Sequence, residues 1–136
     1  MVDISLFDKT QTVAHIKREH VESITSKLET TEVVLTGFIL NKNRAHHPDV
    51  NELYDKVVEI INDPDVVCRN RNDTEVAIYY RRYPALLGEE KFLRVVVWLK
   101  TKDSPEEYKN SIHSFRIARR NEVERDIALD LACWRR

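Results

Sequence analysis

The apolar positions of the chain change their period near residue 66, and the change divides the expected elements into two groups. Upstream, Val13, Ile16, Ile24 and Leu28 recur at helical spacing, with His20 and Val21 filling the gap, which predicts a first helix over about 8–28. Asp8 followed by Gln11 has the spacing of a capping box at its start. The stretch TEVVLTGF (31–38) is β-branched and apolar and closes on Gly37, as a short strand would. ILNKNRAHHP (39–48) predicts a short, mostly polar helix that stops before Pro48, because the residue preceding proline is pushed out of helical geometry. A second strong helix follows, in which Asp49 and Glu52 have capping-box spacing and Val50, Leu53, Tyr54, Val57, Ile60 and Ile61 form an apolar stripe. Asn62-Asp63-Pro64-Asp65 ends it with turn chemistry.

Downstream the pattern alternates with period two. Strands are expected at about 66–71, 75–83, 91–100 and 110–117, with Asn72-Asp73, the stretch from Pro84 to Gly88, and Lys102 to Pro105 as connections. The third, FLRVVVWL, is the most apolar and is placed at the centre. Short connections favour an antiparallel meander. The tail over 119–134 reads as helical, with Val123, Ile127, Leu129, Leu131 and Trp134 for packing. The expected fold is therefore α+β: N-terminal helices packed on a four-stranded antiparallel sheet, with a C-terminal helical tail.

Composition narrows the function classes. The 136 residues match a single domain over 1–136, and 42% hydrophobic residues suffice for one core. No run approaches the roughly 18 uncharged apolar residues of a membrane span, and MVDISLFDKTQ has no apolar signal core, so a cytoplasmic protein is expected. Cys68 and Cys133 fit no metal spacing and no disulfide scaffold, and reduced thiols are the plain reading. The net charge of −1 conceals an asymmetry: 7 lysines and arginines against 12 acids in residues 1–66, and 15 against 11 in residues 67–136. The downstream excess is rich in arginine (Arg69, Arg71, Arg81, Arg82, Arg94, Arg116, Arg119, Arg120), whose planar fork suits phosphate. The bland reading of the same residues is a solvated sheet face balanced by nearby acids.

Several chemistries are excluded by pattern. His15 and His20 are five residues apart, about 140° around a helix, and cannot readily share a metal. His46 and His47 are adjacent and would diverge, and HExxH is absent, so no metal is expected. There is no G-x-S-x-G elbow, no phosphate loop and no dinucleotide fingerprint, so no cofactor is expected either. What remains is His47 at a helix–proline junction, where a side chain is held at a surface. Its imidazole can give or take a proton near neutral pH, with Lys42 and Arg44 supplying cations. A histidine with cations is enough to cleave RNA without metal: the 2′-hydroxyl is deprotonated and attacks the phosphate, while cations stabilise the developing charge. The bland reading of His47 is a surface histidine beside a helix cap.

The stretch VVLTGFILNKNRAHHPDVNELYDKVVEIINDPDVV (33–67), followed by IHSFRI (112–117), resembles the barnase–EndoU–colicin–RelE-like nuclease domains of phage type (the BECR superfamily). The likeness lies in an apolar strand ending in threonine, a short basic helix, a His-Pro, a second helix, an acid-Pro-Asp turn, and a last strand with a small hydroxyl residue before an aromatic. It covers a core over about 33–120. The resemblance implies a RelE/barnase-like fold and a metal-independent endoribonuclease of phage or bacterial toxin type. It implies His47, Lys42 and Ser114 as catalytic residues, Ser114 binding or orienting phosphate. Arg44, His46, Tyr80, Arg82, Arg69 and Arg116 would then bind nucleic acid. RNA is the implied partner, with an antitoxin or immunity protein as a further one, while a homodimer belongs to a third reading, a structural protein paired through its acidic first helix or its tail. The alternative is a non-catalytic module that binds RNA or protein through the arginine-rich sheet face.

Other conspicuous residues take ordinary readings. Trp98 in V-V-V-W-L is read as core or sheet cover before it is read as a base-stacking platform, and Tyr79, Tyr80 and Tyr83 as common β-formers. Cys133 and Trp134 are expected to dock the tail. Because His113 and Phe115 alternate with Ser114, only one of these two sets is expected to line a site.

Overall fold

A computed structural model of the chain describes residues 2–3, 9–73, 75–86, 89–106 and 109–136, so the expected cap at Asp8 and the turn glycine Gly88 lie outside the described residues. The elements follow in the order β1 (Gln11–His15), a 3-10 turn (Arg18–His20), β2 (Glu32–Leu35), α1 (Gly37–His46), a second 3-10 turn (Pro48–Leu53) and α2 (Lys56–Asn62). Then come β3 (Val66–Arg69), β4 (Val76–Leu86), β5 (Glu89–Trp98), β6 (Asn110–Ala118), α3 (Arg120–Ala128) and β7 (Ala132–Arg135). All seven strands join one mixed sheet in the order β1-β2-β6-β5-β4-β3-β7. The apolar strand β5 stands in the middle.

The expected architecture of N-terminal helices on a four-stranded antiparallel sheet is overturned. The meander β3 to β6 is the centre of a larger sheet, extended by β2 and β1 on one side and β7 on the other. β2 runs parallel to β6, pairing Val33 with Asn110 and Val34 with Ser111. The buried side chain of Asn110 braces this junction: its Nδ2 donates to the carbonyls of Thr30 (2.6 Å) and Glu32 (2.8 Å), and its Oδ1 accepts from the Lys100 N–H (2.6 Å). A short parallel contact gains from such side-chain support, because parallel pairing is the weaker kind per residue.

The helix expected over 8–28 is instead β1, a 3-10 turn and irregular chain. The register of β1 against β2 shifts between Thr12 and Ala14, and this bulge buries the adjacent Val13 and Ala14 together. The bulge breaks period two, so Val13 and Ile16 imitate helical spacing while their backbone pairs laterally; the Ile16 N–H donates to the Thr31 carbonyl at 2.8 Å. The second helix divides into a 3-10 turn opening on Pro48 and the seven-residue α2, and neither start has a side-chain cap. The tail is also corrected. After α3 the chain turns at Asp130, whose φ of 59° is left-handed, with Leu131 N–H donating to Asp126 O and Asp130 N–H to Ile127 O, both at 3.0 Å. These are the two bonds of a Schellman C-cap. The chain then returns as β7 along β3, and Arg136 pairs with Asp63 (2.8 Å) and Asp65 (2.9 Å).

The sheet separates two apolar layers. One face carries Tyr79, Leu93, Val95, Val97 and Phe115 beneath Leu40, Val50, Val57, Ile60 and Ile61 of α1, the second 3-10 turn and α2. The other carries Val66, Cys68, Ile78, Tyr80 and Val96 with Val123 of α3 and Leu131. The nine-residue α3 shields only part of this second face; further along it, Arg94, Trp98 and Ser114 line an open cleft. Among the described residues no helix is long and apolar enough to cross a membrane.

Candidate active site

The site begins with the local chemistry of α1. Thr36 caps the helix, its hydroxyl accepting from the Ile39 N–H at 3.2 Å. The buried positions are Gly37, Leu40 and Asn43, spaced by three, so the hidden stripe contains almost no apolar side chain. This explains the polar look of the segment. Asn43 fixes the helix against the edge of β6: its Oδ1 accepts from the Phe115 N–H (3.1 Å) and its Nδ2 donates to the Tyr54 hydroxyl (2.8 Å). Lys42 and His46, four residues apart, share a helix face. His47 ends α1 with φ −135°, its N–H donating to the Asn43 carbonyl at 2.7 Å.

The opposite wall comes from the sheet. The pairing of β5 with β6 shifts between Val96–Ser114 and Val97–Ile112, leaving His113 as the extra residue of a bulge. A bulge re-aims side chains that strict alternation would send to opposite faces. His113 and Ser114 accordingly line the same cleft, together with Lys42, Asn43, His46, His47, Asn70, Asp73, Val76, Arg94, Val96 and Trp98. Its volume is about 490 Å³. The expectation that only one of the sets His113/Phe115 and Ser114 could face a site is thereby corrected; Phe115 alone turns into the core.

Electrostatics set the state of the groups. Burial holds the His113 imidazole below its ordinary value, and the positive charges of Lys42 and Arg94 push the same way. A histidine so held is neutral at pH 7 and able to accept a proton. Arg94 is oriented from beneath, its Nε donating to the Tyr80 hydroxyl (3.4 Å), which in turn donates to Asp126 of α3 (2.6 Å). Its cross-strand neighbour Arg116 is engaged by Glu122 at 3.1 Å. Burial works against the charge of Glu122, but Arg116, the Arg119 N–H and Arg94 outweigh it and hold the carboxyl below its usual range.

Of the residues named from sequence, the structure brings Lys42, His46, His47 and Ser114 together in this cleft. Tyr80 is only 1% exposed, beneath α3. Arg82 is paired with Glu90 (2.8 Å), and Arg116 with Glu122. Arg69, exposed on β3, and Arg44, whose charge acts on Tyr54, are not among the lining residues. The residues that enter it without having been assigned to a site from the sequence include Arg94, His113 and Trp98. Trp98, expected in the core or as cover, is 48% exposed, and His113 stacks on it at 4.3 Å between ring centroids with 12° between the planes. Arg94 could have been found as the one cation among apolar neighbours in the central strand; the two aromatics needed the bulge.

Among the described residues no three His, Cys, Asp or Glu side chains gather as a metal site would require. The groups in the cleft can bind an anion through Lys42 and Arg94, exchange protons through histidines, and donate a hydrogen bond through Ser114. Fold and site thus define a protein of helices and a mixed, mostly antiparallel seven-stranded sheet, with a basic, histidine-lined cleft on its partly uncovered face. No protein-family model matches the chain, and no curated protein or solved structure matches it significantly.

Proposed function

We propose that the protein is a metal-independent endoribonuclease acting by general acid–base catalysis in the cleft between α1 and the bulge of β6. The reading is supported by one observation above all: His47, His113, Lys42, Arg94 and Ser114, from three separate elements, line a single cleft. In the proposed reaction neutral His113 accepts the proton of a ribose 2′-hydroxyl. The resulting oxygen attacks the adjacent phosphorus, the bond from phosphorus to the 5′-oxygen breaks, and His47 in its protonated form gives that oxygen a proton. Lys42 and Arg94 hold the phosphate and stabilise the charge that builds up in the transition state, and the Ser114 hydroxyl orients a non-bridging oxygen. The products are a 2′,3′-cyclic phosphate and a free 5′-hydroxyl.

The alternative, a non-catalytic module working through an arginine-rich face, has less support. Arg81, Arg82, Arg116, Arg120 and Arg136 are each engaged by an acid: Glu59 and Asp63, Glu90, Glu122, Glu90 again, and Asp63 with Asp65. Four of the eight arginines that made up the downstream excess, Arg81, Arg82, Arg116 and Arg120, are thus engaged in ion pairs. The test is incubation of the purified protein with end-labelled RNA in EDTA, beside His47→Ala and His113→Ala. Cleavage that leaves a 2′,3′-cyclic end and falls at least 100-fold in either variant is the expected result. Absence of cleavage by the folded wild type across several RNAs would overturn the reading.

A further inference from the structure

The cleft contains a feature that proton transfer does not require. Trp98 is half exposed at the end of β5, directly after the buried run Val95 to Val97, and His113 lies flat against it. Its directly paired neighbours Val76 and Ser111 are small, and on the adjacent strand β6 it is His113 that stacks on the ring. The indole also borders two further depressions beyond the cleft, one lined by Lys109, Thr36 and Ser111, the other by Glu75, Ser104 and Pro105. Trp98 therefore stands between the cleft and these two depressions. An exposed indole offers a flat aromatic face on which a planar group can lie. In a basic cleft the flat, apolar group attached to an anion is a nucleobase, and stacking on an aromatic side chain is how single strands are held without regard to sequence.

We propose that the Trp98–His113 pair is a base-stacking subsite for single-stranded RNA, placing one nucleotide beside the phosphate held by Lys42 and Arg94. The assignment rests on the ribonuclease reading for the identity of the strand, and it deepens that reading by selecting unpaired RNA over duplex. A base locked in a helix has both faces occupied by its neighbours and cannot lie on the indole. The stack also holds the ring plane of His113 parallel to the indole.

The experiment reads Trp98 fluorescence in a Trp134→Phe background, since Trp98 and Trp134 are the two tryptophans of the chain and Trp134 is packed against His20. The probe is a 2′-O-methyl oligonucleotide, which lacks the nucleophile and cannot be cleaved, offered as a single strand and as a duplex of equal length. The single strand is expected to quench the emission and the duplex to leave it unchanged, at the same ionic strength. Trp98→Ala should weaken binding about 5- to 150-fold, and Trp98→Phe should recover most of it. Equal quenching by both probes, or no quenching by either, would overturn the subsite. Wild-type affinity in Trp98→Ala would overturn it too, even where unmodified RNA is still cleaved. Quenching by the single strand from a protein that cleaves no RNA would keep the subsite and overturn the ribonuclease reading.

Discussion

Asn43 Oδ1 accepts a 3.1 Å hydrogen bond from the backbone N–H of Phe115, and this bond sets the distance between the two walls of the cleft. Beyond its two pairs with β2, the outer edge of β6 has no strand partner among the described residues, and the Asn43 side chain of α1 bonds there instead. Lys42 precedes Asn43 and Ser114 precedes Phe115, so the bond links the cationic wall to the hydroxyl wall. Asn43→Ala removes this acceptor and the donor to Tyr54 together. It is expected to lower stability by about 2–3 kcal/mol, because a buried N–H and a buried hydroxyl lose their partners. Urea denaturation would measure it, and activity per folded molecule should fall as well.

Stability should rise with pH across the histidine range. Burial is the first cause that holds both His20 and His113 below the ordinary imidazole value. For a base whose folded value is depressed, the unfolded chain binds more protons between the two values. Its contribution is therefore fully present above the unfolded value of about 6.5 and is lost as pH falls through the folded one. His20 is 3% exposed, and its Nδ1 finds no partner among the described residues. His20→Leu should flatten the dependence between pH 5 and 7.5, seen in denaturation midpoints. A slope as steep as in the wild type would count against His20 as its source.

The thiols should be silent in the native protein. Burial pushes Cys68 up to about 12, and also raises Cys133. The thiolate is the reactive form, so at pH 8 little of it exists at either position. A chromogenic disulfide reagent is expected to react with both cysteines after unfolding and with neither at comparable speed before it.

Asp130 holds the left-handed turn between α3 and β7. That geometry costs a residue with a Cβ roughly 1–2 kcal/mol, less for aspartate than for most, and glycine nothing. Asp130→Gly is expected to stabilise by about 0.5 kcal/mol, after the greater freedom of glycine in the unfolded chain is subtracted. Asp130→Val, β-branched, should destabilise by more than that. Thermal denaturation distinguishes the two directions.

Local pattern carried the middle of the molecule well. The β-branched and aromatic runs between Val66 and Ala118 read directly as β3 to β6, strands that bury side chains in apolar layers on both faces. Pro48 and Thr36 bound α1 through steric and capping effects that act within a few residues. The first 28 residues were misread because the β1 bulge buries neighbours in sequence, and no local rule separates that spacing from a helix. The final strand was missed because β7 is held by pairing to β3, some 65 residues away in the chain, and by Arg136 reaching Asp63 and Asp65.

The same division runs through the site. Residues 42, 46 and 47 lie within one helix and its end, so their proximity follows from helical geometry, and Ser114 could be named from its place in the last strand. Arg94, His113 and Trp98 could not be assigned this way. Their convergence depends on which strands are neighbours and on one extra residue in β6, and the exposure of Trp98 depends on where α3 stops. By itself the sequence determined features whose causes are local: the existence of β3 to β6 and the end of α1 before Pro48. The tertiary structure alone decided the sheet order, the bulge and the uncovered face, because these arise from contacts between segments far apart in the chain.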